Sequence, residues 1–169
     1  MSANNGAAVI NVGVIGAGYW GPNLIRNFME MPKTNLVAVA DMKQERLDRI
    51  AKQFPAIRTV NDYKELFNMG LDAVVIATPP ATHYMIASDC LRHGLSVLVE
   101  KPLTLRSEDS EALIDLAERN NLTLMVGNTF EYNSAVLTLK QLIDDGELGE
   151  IYYIDAVRTN LGLFQPNVN

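Results

Sequence analysis

Apolar residues fall in short blocks separated by longer amphipathic stretches, and the two alternate along most of the chain. Val9 to Ile15, Leu36 to Ala40, Ile57 to Val60, Ala73 to Ala77, Ser96 to Val99 and Thr123 to Val126 are strand-sized and almost free of charge. Such continuous apolar runs suit strands covered on both faces, as in a parallel sheet. Between them, Tyr19 to Met29 sets Leu24, Ile25 and Phe28 at helical spacing. Pro22 is tolerated in that first turn because the amide it lacks would be unpaired there. Met42 to Gln53 predicts a helix with Leu47, Ile50 and Ala51 inward, ended by Phe54 and Pro55, and Asn61 or Asp62 caps a brief helix through Phe67. Ala81 to His93 predicts a helix closed by Gly94, with His93 in its last turn. Ser107 is expected to cap a helix with Glu108, Asp109 and Glu111 in its first turn and Leu113, Leu116 and Ala117 as its stripe. Glu131 to about Asp144 adds a helix on Val136, Leu139, Leu142 and Ile143, and Ile151 to Val157 reads as one more strand.

Strands alternating with helices at this rhythm predict an α/β fold, a doubly wound parallel sheet with helices on both faces. Ligands bind such sheets at the carboxyl ends of the strands. The expected organisation is a loose tail over residues 1–8, one domain over 9–149, and over 150–169 the first strand of an incomplete second α/β domain, lying at an edge or pairing with another molecule. Every polar motif falls at a strand's carboxyl end. Gly16, Gly18 and Gly21 follow the first strand in the spacing Gly-x-Gly-x-x-Gly. The first glycine allows a tight turn, the second lets a pyrophosphate approach the backbone, and the third lets the next helix pack closely, its free amides facing the anion. An acid, Asp41, closes the next apolar run about 20 residues on, where that fingerprint places a ribose ligand.

Composition narrows the partners. The 169 residues are 48% hydrophobic and 20% charged, which suits a globular chain able to bury a core. Lys and Arg total 14 against 20 Asp and Glu, and the net charge of -6 argues against nucleic acid or an anionic membrane as main partner. A small-molecule ligand is the expectation. The one cysteine, Cys90, cannot form an internal disulfide and sits in a helical stretch, so a buried inert thiol in a reducing cytoplasm is expected. No apolar stretch approaches the roughly 18 residues of a membrane span, and Met1 to Ala8 lacks the basic start and apolar core of a signal peptide. Two histidines and one cysteine give no metal-ligand spacing.

The strand-end residues carry competing readings. Asp41 would accept hydrogen bonds from the adenosine ribose and repel a 2′-phosphate, favouring NAD over NADP, while Lys43 and Arg46 keep NADP open; the bland reading is a surface acid. Thr78, Pro79 and Pro80 would line the cofactor as rigid backbone, or simply end a strand. His83 is a capping or packing residue and a cofactor neighbour. Tyr19 and Trp20 would pack over the pyrophosphate or ribose, or fill the core beneath the first helix.

Together, the Gly16 to Gly21 turn, Asp41, the Ala77 to Pro80 turn with His83 after it, and Glu100, Lys101 and Pro102 resemble the glucose-fructose oxidoreductase / inositol dehydrogenase (Gfo/Idh/MocA) family of NAD(P)-dependent oxidoreductases. The Glu-Lys-Pro triplet is the most specific part. Gly18 to Asn23, Phe130 to Asn133 and Arg158 to Gly162 further resemble the branch acting on nucleotide-linked amino sugars, similar to UDP-N-acetylglucosamine 3-dehydrogenases. The resemblance implies a Rossmann domain that binds NAD, with NADP as the alternative, and a hydride transfer to or from a secondary alcohol of a sugar. It implies that Lys101 is catalytic, hydrogen-bonding the substrate oxygen from a partly buried position beside the nicotinamide, that Glu100 orients Lys101 and the ribose, and that Pro102 follows a cis bond. A solvated Lys-Glu pair is the bland alternative. Asn128 stands where similar sequences often carry His. The resemblance also implies a second domain holding a catalytic His and Asp and the homo-oligomer contacts, beyond this sequence, so that this chain alone is inactive. A non-catalytic dinucleotide-binding module is the competing reading, and methyl transfer from S-adenosylmethionine a third that leaves the triplet unexplained.

Overall fold

Six short strands take up the apolar blocks: β1 (Ile10–Ile15), β2 (Thr34–Ala40), β3 (Arg58–Val60), β4 (Ala73–Ile76), β5 (Ser96–Val99) and β6 (Leu124–Val126). The structure is a computed structural model that describes residues 9–157 and Thr159; the expected tail at 1–8 and most of the motif from 158 to 162 lie outside the described residues. All strand pairs are parallel, in the order β3-β2-β1-β4-β5-β6. That order makes the chain leave β1 toward one edge and return to its other side at β4, so the loops after β1 and β4 diverge around a crevice.

Alternate residues of the central strands feed two separate cores. Val12, Val14, Val39 and Val75 pack on one face with Ile25 of α1 (Gly21–Glu30) and Leu47 and Ile50 of α2 (Gln44–Gln53). Ile15, Ala38, Val74, Ile76, Val97 and Val99 pack on the other with Ile86 and Leu91 of α3 (His83–Arg92) and Leu113 and Ala117 of α4 (Ser107–Arg119). Each buried Val, Leu or Ile among them is worth about 1.5–3 kcal/mol, and period-two alternation obliges helices on both faces.

Several local expectations are corrected. α2 begins at Gln44 rather than Met42, because Asp41 Oδ1 accepts the Lys43 amide at 2.8 Å and holds residues 41–43 in a turn. Ala51 faces solvent, one position off the stripe set by Leu47 and Ile50. Ser107 is the first helical residue of α4; the cap position is Arg106, with no side-chain cap bond. Asp62, not Asn61, caps the brief 3-10 helix at Tyr63–Asn68, accepting from the Lys64 amide.

The chain divides into two compact units, residues 1–128 and 129–169. The second holds α5 (Ser134–Asp144), which the sequence reading attached to the first domain. Asn133 caps it, accepting from the Ala135 and Val136 amides. Ile151 to Val157 is not a strand: no ladder among the described residues includes it, and a β-strand forms only where a neighbour takes its amides and carbonyls.

Candidate functional site

The carboxyl ends of β1, β2, β4, β5 and β6 carry the polar motifs, all within residues 1–128. Gly16 takes φ +103°, and a β-carbon there would lie 2.6 Å from the Ala77 carbonyl oxygen. On Gly21 a β-carbon would fall on the Gly16 carbonyl oxygen, so glycine lets α1 start directly against the turn. Around Gly18 only the Arg46 guanidinium comes near, at 3.6 Å, leaving backbone accessible. α1 has no side-chain cap and no acidic residue in its first turn to compete with an external anion. Pro22 brings no amide there and the Asn23 amide donates to the Trp20 carbonyl at 3.0 Å, so an anion is met by the glycine-turn backbone ahead of the helix rather than by a full row of helix amides. A cleft of about 370 Å³ opens beside the turn, lined by Ala17, Gly18, Tyr19, Pro22, Arg46 and Arg49 among others. Tyr19 is 72% exposed and Trp20 is exposed too, which rules out core filling for both.

Asp41 is no surface acid. It is 8% exposed; Oδ2 accepts from the Ala17 amide at 2.8 Å and from Arg46 at 3.1 Å, and Oδ1 from the Lys43 amide at 2.8 Å. A carboxylate offers about four lone-pair sites, so three are engaged and one remains. The acid therefore locks the glycine turn to β2 before any ligand arrives, and Arg46 balances its charge. The sequence reading noticed Arg46 only as an argument about cofactor type; its position five residues after Asp41, in the first turn of α2, was the available signal.

After β4, the Thr78 hydroxyl accepts from that of Thr82 at 2.7 Å, and Pro79 and Pro80 continue the turn into α3. His83 is 1% exposed; its Nδ1 lies 2.8 Å from the Pro102 carbonyl oxygen and its Nε2 2.8 Å from that of Thr78. After β5, Lys101-Pro102 is a cis peptide, as the resemblance implied. Lys101 is exposed rather than partly buried, and its ammonium makes no ion pair among the described residues. Glu100 does not hold that ammonium; its Oε2 accepts the Lys101 backbone amide at 3.3 Å. A β-carbon on Gly127 would lie 3.2 Å from Glu100 Oε1, so this glycine, which the sequence reading passed over, makes room for the carboxylate. Asn128, next to it, is exposed. Cys90 lies away from these strand ends in the α3 core, fully buried, its thiol pushed up to about 12 by burial, with Asp89 adding to the shift.

A parallel sheet in this strand order, with a glycine turn leading into an uncapped helix and an acid closing the second strand, defines a Rossmann-type dinucleotide-binding domain. Residues 10–128 match the oxidoreductase family with an NAD-binding Rossmann fold, GFO_IDH_MocA, and the chain belongs to that family. It is 33% identical over 148 residues to a scyllo-inositol 2-dehydrogenase (NAD(+)) of Bacillus subtilis, covering 86% of this chain and 42% of the relative. Scyllo-inositol dehydrogenase from Lactobacillus casei, solved with NAD(H) and scyllo-inositol, superimposes with a TM-score of 0.77 at 26% identity, over 84% of this chain and 43% of that one. A 3-ketoreductase from Actinomadura kijaniata, solved with NADP and TDP-benzene, gives 0.75 at 29% identity, over 81% and 42%. The chain spans less than half the length of each of these relatives. Among the described residues no helix is long and apolar enough to cross a membrane, and no group of three or more His, Cys, Asp or Glu side chains is placed to hold a metal ion.

Proposed function

We propose that residues 9–128 hold NAD, with NADP as the alternative, and form the cofactor part of an oxidoreductase acting on a secondary alcohol of a sugar or related polyol. The observation that carries this reading is the fit of the glycine turn to a pyrophosphate: two glycines pressed against backbone, a third left open, and an uncapped helix behind them. Gly16, Gly18, Tyr19, Trp20 and Gly21 would hold the pyrophosphate side. Asp41 has one lone-pair site left for a ribose hydroxyl and takes a second only if Arg46 moves aside. Thr78, Pro79, Pro80 and Asn128 would border the remainder of the cofactor. When bound, the nicotinamide supplies or accepts the hydride. Lys101, beside the nicotinamide and with an ammonium that makes no ion pair among the described residues, borders the cofactor, hydrogen-bonds the substrate oxygen and moves its proton, while Glu100 steers the Lys101 backbone from Oε2.

A nucleotide-linked sugar is the finer reading of the substrate. It rests on Gly18 to Asn23 and Phe130 to Asn133, and the ketoreductase relative solved with TDP-benzene supports it. Fluorescence titration of NADH, alongside oxidation assays on inositols and UDP-sugars, tests both levels. Saturable NADH binding supports the cofactor site. Binding without turnover by this chain points to a binding module, turnover by it alone overturns that module, and S-adenosylmethionine binding without NADH binding overturns the whole reading.

A further inference from the structure

The last ladder bond between β4 and β5 runs from the Glu100 amide to the Ile76 carbonyl, at 2.9 Å. Beyond it the two chains separate into the Ala77 to Pro80 turn and the Lys101 to Pro102 turn, and no backbone hydrogen bond joins those turns among the described residues. One side chain spans the gap. His83, the first residue of α3, sits between them with a ring nitrogen 2.8 Å from the carbonyl oxygen of each, and it is 1% exposed. Both facing atoms are acceptors, so each contact is a hydrogen bond only where that nitrogen carries a proton. A neutral ring donates to one carbonyl at a time, by choice of tautomer, and because residues 79–82 already join His83 to the Thr78 turn, the bond to Pro102 is the one that links the two turns.

The two turns are those the cofactor site is built from. The Thr78 amide lies 3.0 Å from where a Gly16 β-carbon would be, so the first turn backs the glycine loop, and Pro102 follows Lys101 directly. With both nitrogens turned to backbone and the ring sealed from solvent, His83 has no atom left for a ligand. We propose that His83 is a positioning residue: it clamps the Pro102 carbonyl to the Thr78 turn and thereby fixes where Lys101 stands relative to the glycine loop. The inference rests on the dinucleotide-binding reading above and deepens it, since the contact is made through Lys101 and not by the imidazole.

Side-chain amides separate the two links. The Asn amide nitrogen falls near the place of Nδ1, so His83→Asn retains the tie to Pro102. In His83→Gln the nitrogen falls near Nε2, retaining the tie to Thr78. His83→Phe keeps the ring and removes both. NADH affinity of each is measured by fluorescence titration, alone and combined with Lys101→Ala, with thermal melts as the check on folding. His83→Phe is expected to weaken NADH about fivefold, the size of one net hydrogen bond, His83→Asn less than His83→Gln, and His83→Phe less than twofold once Lys101 is already Ala. A purely structural role gives the same loss with and without Lys101 and no distinction between Asn and Gln; either result overturns the proposal. Should His83→Phe fail to fold, the Asn and Gln pair decides alone. Absence of NADH binding by the unmodified chain overturns the dinucleotide reading and this proposal with it, whereas normal binding with additive variants overturns only the clamp.

Discussion

Gly16 stands so close to Ala77 that a β-carbon on it would lie 2.6 Å from the Ala77 carbonyl oxygen, at the point where the sheet changes winding direction. Gly16→Ala therefore meets backbone that cannot step aside, and it asks an L residue to take φ +103°. The expected cost is about 1–3 kcal/mol from strain alone, with NADH binding lost. Gly18→Ala is the informative contrast. Its β-carbon meets only the mobile end of Arg46 at 3.6 Å, so the melting temperature should stay close to that of the unmodified chain while NADH affinity falls. Equal destabilisation by the two substitutions would remove the distinction between packing glycine and ligand-facing glycine.

Asp41 and Arg46 make a second test, because the carboxylate serves both the turn and the proposed ribose. Asp41→Asn keeps the shape but turns an amide NH2 toward a backbone N–H, at Ala17 or at Lys43. Stability should drop by about 1–3 kcal/mol for the unsatisfied donor. It also frees Arg46 from its counter-charge, at 3.1 Å in the native chain, beside the place a 2′-phosphate would occupy. The ratio of NADPH to NADH affinity should rise about tenfold, equal to about 1.4 kcal/mol, read by parallel titrations. An unchanged ratio would mean that Asp41 serves the turn alone.

The sheet was legible because its central strands are buried on both faces, and a strand so buried has to be apolar: Ala73 to Ile76 is a strand from sequence and structure alike. Helix starts were less so. Met42 continues the pattern of α2, yet Asp41 competes for the Lys43 amide and delays the helix by two residues, a side-chain effect that periodicity does not encode. Ile151 to Val157 has the composition of a strand, but strand formation depends on a partner and composition does not name one. Within the site, the motifs gave the positions of Gly16, Asp41 and Lys101. They did not give what those residues touch: that Asp41 is already engaged and that Gly127 shapes the place of Glu100 follow from contacts between strands distant in sequence, and that Lys101 makes no ion pair among the described residues follows from what surrounds it.

Cys90 yields a pH prediction independent of any ligand. Burial raises its thiol from 9.0 to about 12 in the folded chain, Asp89 adding to the effect. Above pH 9 the unfolded chain releases this proton and the folded chain keeps it, so the folded state binds more protons and stability falls as pH rises. The contribution is fully present below pH 9 and is lost progressively toward pH 12, at up to about 1.4 kcal/mol per pH unit. Urea melts at a series of alkaline pH values should show a shallower decline for Cys90→Ala than for the unmodified chain. The comparison matters because Tyr63, also raised by burial and by its bond to Asp89, adds a decline of the same sign in both proteins.

Gly127 provides the test of Glu100. A β-carbon there would lie 3.2–3.3 Å from the Glu100 carboxylate atoms, close enough to press on them and far enough for a flexible side chain to swing away. Gly127→Ala should therefore fold, with a melting temperature within a few degrees of the unmodified chain, because the displaced group is half-buried and is not part of either core. Moving the carboxylate breaks its bond to the Lys101 amide, at 3.3 Å in the native chain. If Glu100 orients the Lys101 turn, NADH binding weakens, and in a Glu100→Ala background Gly127→Ala adds nothing further. Additive losses in that cycle would instead mean that Gly127 acts on the site by some route other than Glu100.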